Sequence, residues 1–149
     1  MKCENVIRNV IETECEDYYL GMVDLSRVEN ILVEKYGSLI AEYPRAISIG
    51  VTLPYLTPEE LSKNKKQPYD ATNCQLKSIT SHLSKLIEER GYQALSIPKA
   101  REINEGSHVS FHEAVAYLAD MGKIEKNLLV TPEVGSRVNW GTVLTNAPF

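Results

Sequence analysis

Apolar positions along this chain follow two rhythms, one of helices and one of strands, and the two alternate. Cys3, Val6, Ile7, Val10 and Ile11 fall on one helical face, predicting a first helix over 3–17. Glu12, Glu14 and Glu16 crowd its last turns and oppose the helix dipole, so its end is expected to fray or stop early. Residues 18–24 (YYLGMVD) read as a strand interrupted by Gly21. Ser26 and Glu29 have capping-box spacing and start a second helix with Val28, Ile31, Leu32, Leu39 and Ile40 as its buried stripe. Gly37 divides it and Pro44 closes it. Residues 45–53 (RAISIGVTL) make a strand buried on both faces.

Residues 54–70 read as a loop, with three prolines, a second capping box at Thr57 and Glu60, and a solvated run of Lys63, Lys65 and Lys66. The longest helix covers 70–90, where Leu76, Ile79, Leu83, Leu86 and Ile87 repeat at helical spacing and Gly91 stands at the C-terminal left-handed position. Residues 92–97 form a strand, and 99–108 are polar and irregular. Ser110 with Glu113 caps the next helix, Val109 with Ala114 has the spacing of a hydrophobic staple, and Gly122 ends the helix. A short basic loop, a strand at 128–131, a turn at 132–136 and a strand at 137–145 complete the order. The expected fold is one α/β (α+β) domain over 1–149, a mixed sheet with flanking helices.

Composition agrees with one such domain. The 149 residues are 43% hydrophobic and 24% charged, as in ordinary globular proteins. A net charge of -4 argues against nucleic-acid binding by bulk electrostatics. The N-terminus lacks an uninterrupted apolar stretch of the signal-peptide kind, and no apolar run approaches the roughly 20 residues that span a bilayer. Cys3, Cys15 and Cys74 are scattered and include no CxxC pair, so a reducing, cytoplasmic setting is expected.

Few residues carry recognisable chemistry. His108 and His112 are four apart, but the helix starts between them and no third metal ligand lies at suitable spacing. His82 beside an apolar stripe reads as a surface or packing histidine. G-x-S-x-G, G-x-G-x-x-G and Walker A sequences are absent. The turn is more informative. Gly135 permits backbone conformations that turn N–H groups outward, while Ser136, Arg137, Lys123, Lys126 and Asn127 add donors for an anionic or amide-rich ligand. An ordinary hairpin explains the same residues more economically.

The stretch ADMGKIEKNLLVTPEVGSRVNWGTVLT, 119–145, resembles a signature of the epoxyqueuosine reductase family and its corrinoid-dependent iron–sulfur relatives. YPRAISIG at 43–50 and IEERGYQALSIP at 87–98 match more weakly, in the same order. The resemblance implies a cobalamin-binding domain of nitroreductase-like layered fold, oxidoreductase-like when completed by an iron–sulfur domain. It carries over Gly122, Lys126, Asn127, Pro132, Glu133, Gly135, Ser136 and Arg137 as cofactor contacts. Family members continue into a cysteine run that ligates two clusters. This sequence reaches Phe149 without one, so no iron–sulfur cluster is expected within it. Electrons would come from a ferredoxin-like C-terminal domain or a partner protein.

The family's proton-donor aspartate falls near Gly106, with Glu105 adjacent, and its aromatic-Gly pair is replaced by Lys123-Ile124-Glu125. A non-catalytic dimerising relative or partner subunit is the alternative, and a flavin-binding relative a weaker one. A C-terminal strand with Pro148 and Phe149 exposed adds the expectation of a homo-oligomer.

Overall fold

The computed structural model describes residues 4–27, 36–54, 59, 67–97, 110–126 and 128–148, with 67–69 described as backbone only. Helix α1 spans Glu4–Glu12 and buries Ile7 and Ile11. It stops five residues before the expected end, where the run of glutamates begins. Strand β1 follows over Tyr18–Asp24 and runs straight through Gly21. Leu25–Arg27 is a 3-10 turn, in which Ser26 donates from both backbone N and Oγ to the Asp24 carboxylate. Glu29, Val28, Ile31 and Leu32 lie outside the described residues. Helix α2 is Gly37–Glu42.

Strand β2, Arg45–Thr52, has a fully buried interior, as its unbroken apolar run requires. Helix α3, Gln67–Glu89, begins earlier than its sequence suggests and buries Leu76, Ile79, Leu83 and Ile87. Tyr92 N–H donates to Ile87 O and Gly91 N–H to Glu88 O, with Gly91 at φ 91, which is a Schellman ending. Strand β3 is Ala94–Ser96. Helix α4, Phe111–Leu118, is capped by Ser110, whose Oγ accepts from Glu113 N. Val109 of the expected staple, the polar stretch 99–108 and the lysine run lie outside the described residues.

The end of α4 corrects an expectation. The helix ends at Leu118, short of the expected Gly122, and the left-handed residue after it is Asp120, φ 64. Gly122 is required for a different reason: a Cβ there would lie 2.5 Å from the Val130 carbonyl oxygen. Backbone passes so close because the expected basic loop is a strand. β4, Lys123–Glu125, pairs antiparallel with β5, Leu128–Val130. Lys126 turns the chain between them at φ 51.

The last strand, β6, is Val138–Thr145, buried along its whole length. The main sheet runs β1-β2-β6-β3 and is antiparallel at every pairing, not mixed. The unit β2–α3–β3 does return parallel to its start, as helix–strand alternation implies. β6 inserts between β2 and β3, however, so each strand's neighbours run opposite to it. One sheet face packs α1 and α3 around Ile47, Ile49, Val51 and Val143. The other carries α2, α4 and the β4–β5 hairpin over Ala46, Leu144 and Trp140. Successive residues of β2 and β6 supply the two faces in turn.

β6 is central, so the uncovered C-terminal edge expected from the sequence does not exist. Ala147 is buried, and Arg45 Nη1 donates to the carbonyls of Asn146 and Ala147. Among the described strands the sheet edges are β1 and β3. No helix among the described residues is long and apolar enough to cross a membrane.

Candidate functional site

The turn after β5 folds on itself before β6 begins. Thr131 and Gly135 form an isolated antiparallel bridge, with N–H to carbonyl bonds of 2.9 and 3.0 Å. Gly135 at φ 62 allows this closure. Thr131 Oγ1 donates to Gly135 O at 3.0 Å and accepts from Val134 N at 3.2 Å. The Gly135 N–H is therefore used inside the turn and not offered outward. Nor is the turn a hairpin joining two long strands: β5 pairs with β4, and β6 pairs with β2 and β3.

Side chains carry what the turn presents. Arg137 is half-buried, and its Nη1 donates to Leu53 O at 2.8 Å, while Leu53 N donates to Arg137 O at 2.9 Å. Glu133 is exposed, and Tyr19 on β1 donates its hydroxyl to Glu133 Oε2 at 3.0 Å. The same hydroxyl lies 3.4 Å from Thr131 Oγ1, and the Tyr19 ring packs 5.8 Å from that of Trp140. Burial raises the Tyr19 pKa above its ordinary 10, and the Glu133 carboxylate adds to the rise against the opposing bond with Thr131. Its proton is therefore held on the phenol that fixes Glu133.

A cleft of about 760 Å³ opens beside this turn. Glu133, Val134 and Arg137 line it together with Glu16, Asp17, Tyr18 and Tyr19, the end of β2 at Thr52 and Leu53, and Ala71, Thr72 and Gln75 of α3. Asn139 on β6 donates to Thr72 Oγ1 at 2.8 Å and to Asn73 Oδ1 at 2.7 Å, which anchors α3 on the sheet there. Gln75 Nε2 donates to Glu14 O. A second hollow of about 450 Å³ shares Glu16, Asp17, Thr52 and Gln75 and adds Glu12 and Glu14. Cys15 lies within it and donates to Asp17 O, and burial pushes its thiol pKa up, away from a reactive thiolate.

The eight residues singled out from the sequence thus divide. Pro132, Glu133, Gly135, Ser136 and Arg137 share the turn, and Glu133 and Arg137 reach the cleft. Gly122 packs on Val130. Lys126 is exposed at the far tip of the hairpin, separated from the turn by the three residues of β5, roughly 10 Å of strand at ~3.3 Å per residue. Asn127 lies outside the described residues, as do Glu105 and Gly106. Asp17, Tyr19 and Gln75 escaped sequence reasoning. The adjacent pair Tyr18-Tyr19 was the available signal, since neighbouring aromatics on a strand place one ring on each face.

Neither described histidine lines the cleft. His112 is buried, with Nδ1 2.8 Å from Thr142 Oγ1. His82 is a surface residue with Nδ1 3.9 Å from Glu14 Oε1. His108 lies outside the described residues.

No family model matches the chain, and no curated protein does. Solved structures do. Epoxyqueuosine reductase from Streptococcus thermophilus matches at 18% identity and TM-score 0.62, over 100% of this chain and 47% of that one. The Bacillus subtilis enzyme matches at 17% and 0.62, over 99% and 46%. An epoxyqueuosine reductase solved with an epoxyqueuosine-modified tRNA stem loop matches at 15% and 0.66, over 99% and 46%. The chain thus spans a little under half the length of the structures it matches, and at these identities the likeness is one of fold. Three-dimensional similarity and the resemblance of residues 119–145 point to the same enzyme: this chain has the fold of one domain of epoxyqueuosine reductase.

Proposed function

We propose that the chain is the corrinoid-binding domain of an epoxyqueuosine reductase-like redox protein, nitroreductase-like in its layering. The supporting observation is a fold match across essentially the whole chain to structures of that enzyme. The strip from Lys126 to Arg137 fits such a ligand in kind. Lys126, Glu133 and Ser136 are exposed at the two ends of β5. A flat macrocycle with an amide-bearing rim suits that strip better than a small enclosed ligand does. Lys126 and Ser136 would meet rim amides, while Arg137, tied to Leu53 O, would hold the turn against the sheet. A bound corrinoid supplies a cobalt that can be reduced, and the electrons come from an iron–sulfur domain or partner.

Titration of the purified chain with cob(II)alamin, followed by absorbance, tests this reading. A saturable spectral change at micromolar protein is expected. Spectra that stay additive at protein concentrations well above micromolar would overturn it.

The position matched to the proton donor is Gly106, which has no side chain to donate from. That favours a second reading, in which the chain binds the corrinoid but is a non-catalytic, dimerising partner subunit. Reductive turnover by this chain with added corrinoid and reductant would exclude it.

A further inference from the structure

We propose that β1 is a self-association edge: two copies of this chain pair antiparallel through Tyr18–Asp24, with the two-fold axis at Gly21, and join their sheets into one. Among the described strands β1 is an edge of the main sheet. All seven of its residues are half-buried whichever face they point to, while β2 beside it is buried throughout its interior. An edge is usually kept from pairing by a proline, a lysine or a bulge. β1 has no proline or lysine, and its register with β2 is unbroken.

Hydrogen bonds at the two ends of β1 fix which backbone groups the edge presents. Thr52 N–H donates to Asp17 O at 3.3 Å and Leu25 N–H to Pro44 O at 2.7 Å, both on the register that β1 keeps with β2. In an antiparallel ladder the hydrogen-bonded pairs recur at every second residue. Tyr19, Gly21 and Val23 therefore bond to β2, while Tyr18, Leu20, Met22 and Asp24 turn their N–H and C=O groups outward.

A second copy fits this edge because the edge is complementary to itself. Pairing centred on Gly21 sets Leu20 opposite the partner's Met22 and Tyr18 opposite the partner's Asp24, so all four outward residues meet outward residues. Leu20 and Met22 pack on the α1–α3 side of the sheet, and their apolar surface continues across the axis. On the other face Tyr19 meets the partner's Val23, an aromatic–β-branched pair of the kind that stabilises sheets. Charge selects the same register. Arg27, just past the end of β1, is 86% exposed and comes opposite the exposed Glu16 and Asp17 that precede the partner's β1. A register shifted by two residues would instead oppose two anions, Glu16 and Asp24. The ladder is short, so the dimer is weak and reversible.

Sedimentation of the full chain without corrinoid, from about 10 μM to about 1 mM, is the test, with amide hydrogen exchange followed over the same range. A monomer–dimer equilibrium is expected. Amides of Tyr18, Leu20, Met22 and Asp24 should gain protection as concentration rises, while those of Tyr19, Gly21 and Val23 stay protected throughout. Leu20→Pro removes an outward N–H and spares the ladder with β2, so it should abolish the dimer. Arg27→Glu, exposed and outside the ladder, should weaken it about fivefold, the scale of an exposed ion pair. Lys85→Glu, the same charge change on the exposed side of α3, should leave it unaltered. A monomer throughout the range, equal gains at alternate amides, or a dimer that Arg27→Glu weakens no more than Lys85→Glu does would overturn the proposal. No corrinoid enters the test, so either result leaves the cobalamin reading untouched.

Discussion

Gly50 faces Trp140 in the β2–β6 register, and a Cβ there would meet the indole and the Val138 side chain at 2.6 Å. Both neighbours are buried, and the strand leaves the new methyl no other direction. Gly50→Ala is therefore expected to cost about 2–3 kcal/mol through overpacking. Gly37→Ala, with nothing within 4 Å of its Cβ at the exposed start of α2, should be neutral or stabilising by up to about 1 kcal/mol. Denaturant midpoints followed through the single tryptophan distinguish the two. Equal midpoints would show that the sheet yields around Trp140. A glycine inside an apolar strand run signals close approach. What approaches was not legible, since Trp140 lies on another strand and both flanks of Gly50 look alike in sequence. Tyr19 and Glu133 were hidden in the same way: 114 residues separate partners whose side chains bond directly.

At the scale of elements, local chemistry was legible and partnerships were not. The Ser110–Glu113 cap could be read from spacing alone and is present. Its second role could not be read. Glu113 Oε2 accepts from Leu129 N at 2.7 Å, while Ser110 Oγ donates to Oε1, so one carboxylate joins the start of α4 to β5. Glu113→Ala removes the helix contact and leaves a partly buried strand N–H unpaired. A loss of about 1–3 kcal/mol is expected, with faster hydrogen exchange at Leu129 in particular. Glu113→Gln, which keeps an acceptor, should recover most of it. Loss of stability with Leu129 exchange unchanged would mean that the carboxylate serves α4 alone. The β4–β5 hairpin itself escaped prediction because KIEKN has neither apolar alternation nor a glycine at its turn. Lys126 takes the left-handed position that Asn or Gly usually fills.

For the whole molecule, the sequence order of the main-sheet strands was readable and their spatial order was not, because β6 enters the sheet between strands that α3 connects. Its final residues close the structure. Val143, Leu144 and Thr145 supply the entire register of β3, pairing with Ser96, Leu95 and Ala94. Val143 and Leu144 also fill opposite faces of the sheet, each fully buried. Ending the chain after Thr142 removes roughly 3–6 kcal/mol of apolar burial along with that ladder. Domains of this size hold only about 5–15 kcal/mol in all. The truncated chain should therefore lose its cooperative thermal transition, with the β3 amides and the last turns of α3 exchanging as in an unfolded chain. A sharp transition with β3 still protected would mean that α3 alone holds β3 to the domain. The β6 register also bears on the cleft, because Asn139 fastens Thr72 and Asn73 of α3 to the sheet. If the truncation loosens β6 along its length, the wall formed by α3 should separate from the turn that carries Glu133 and Arg137.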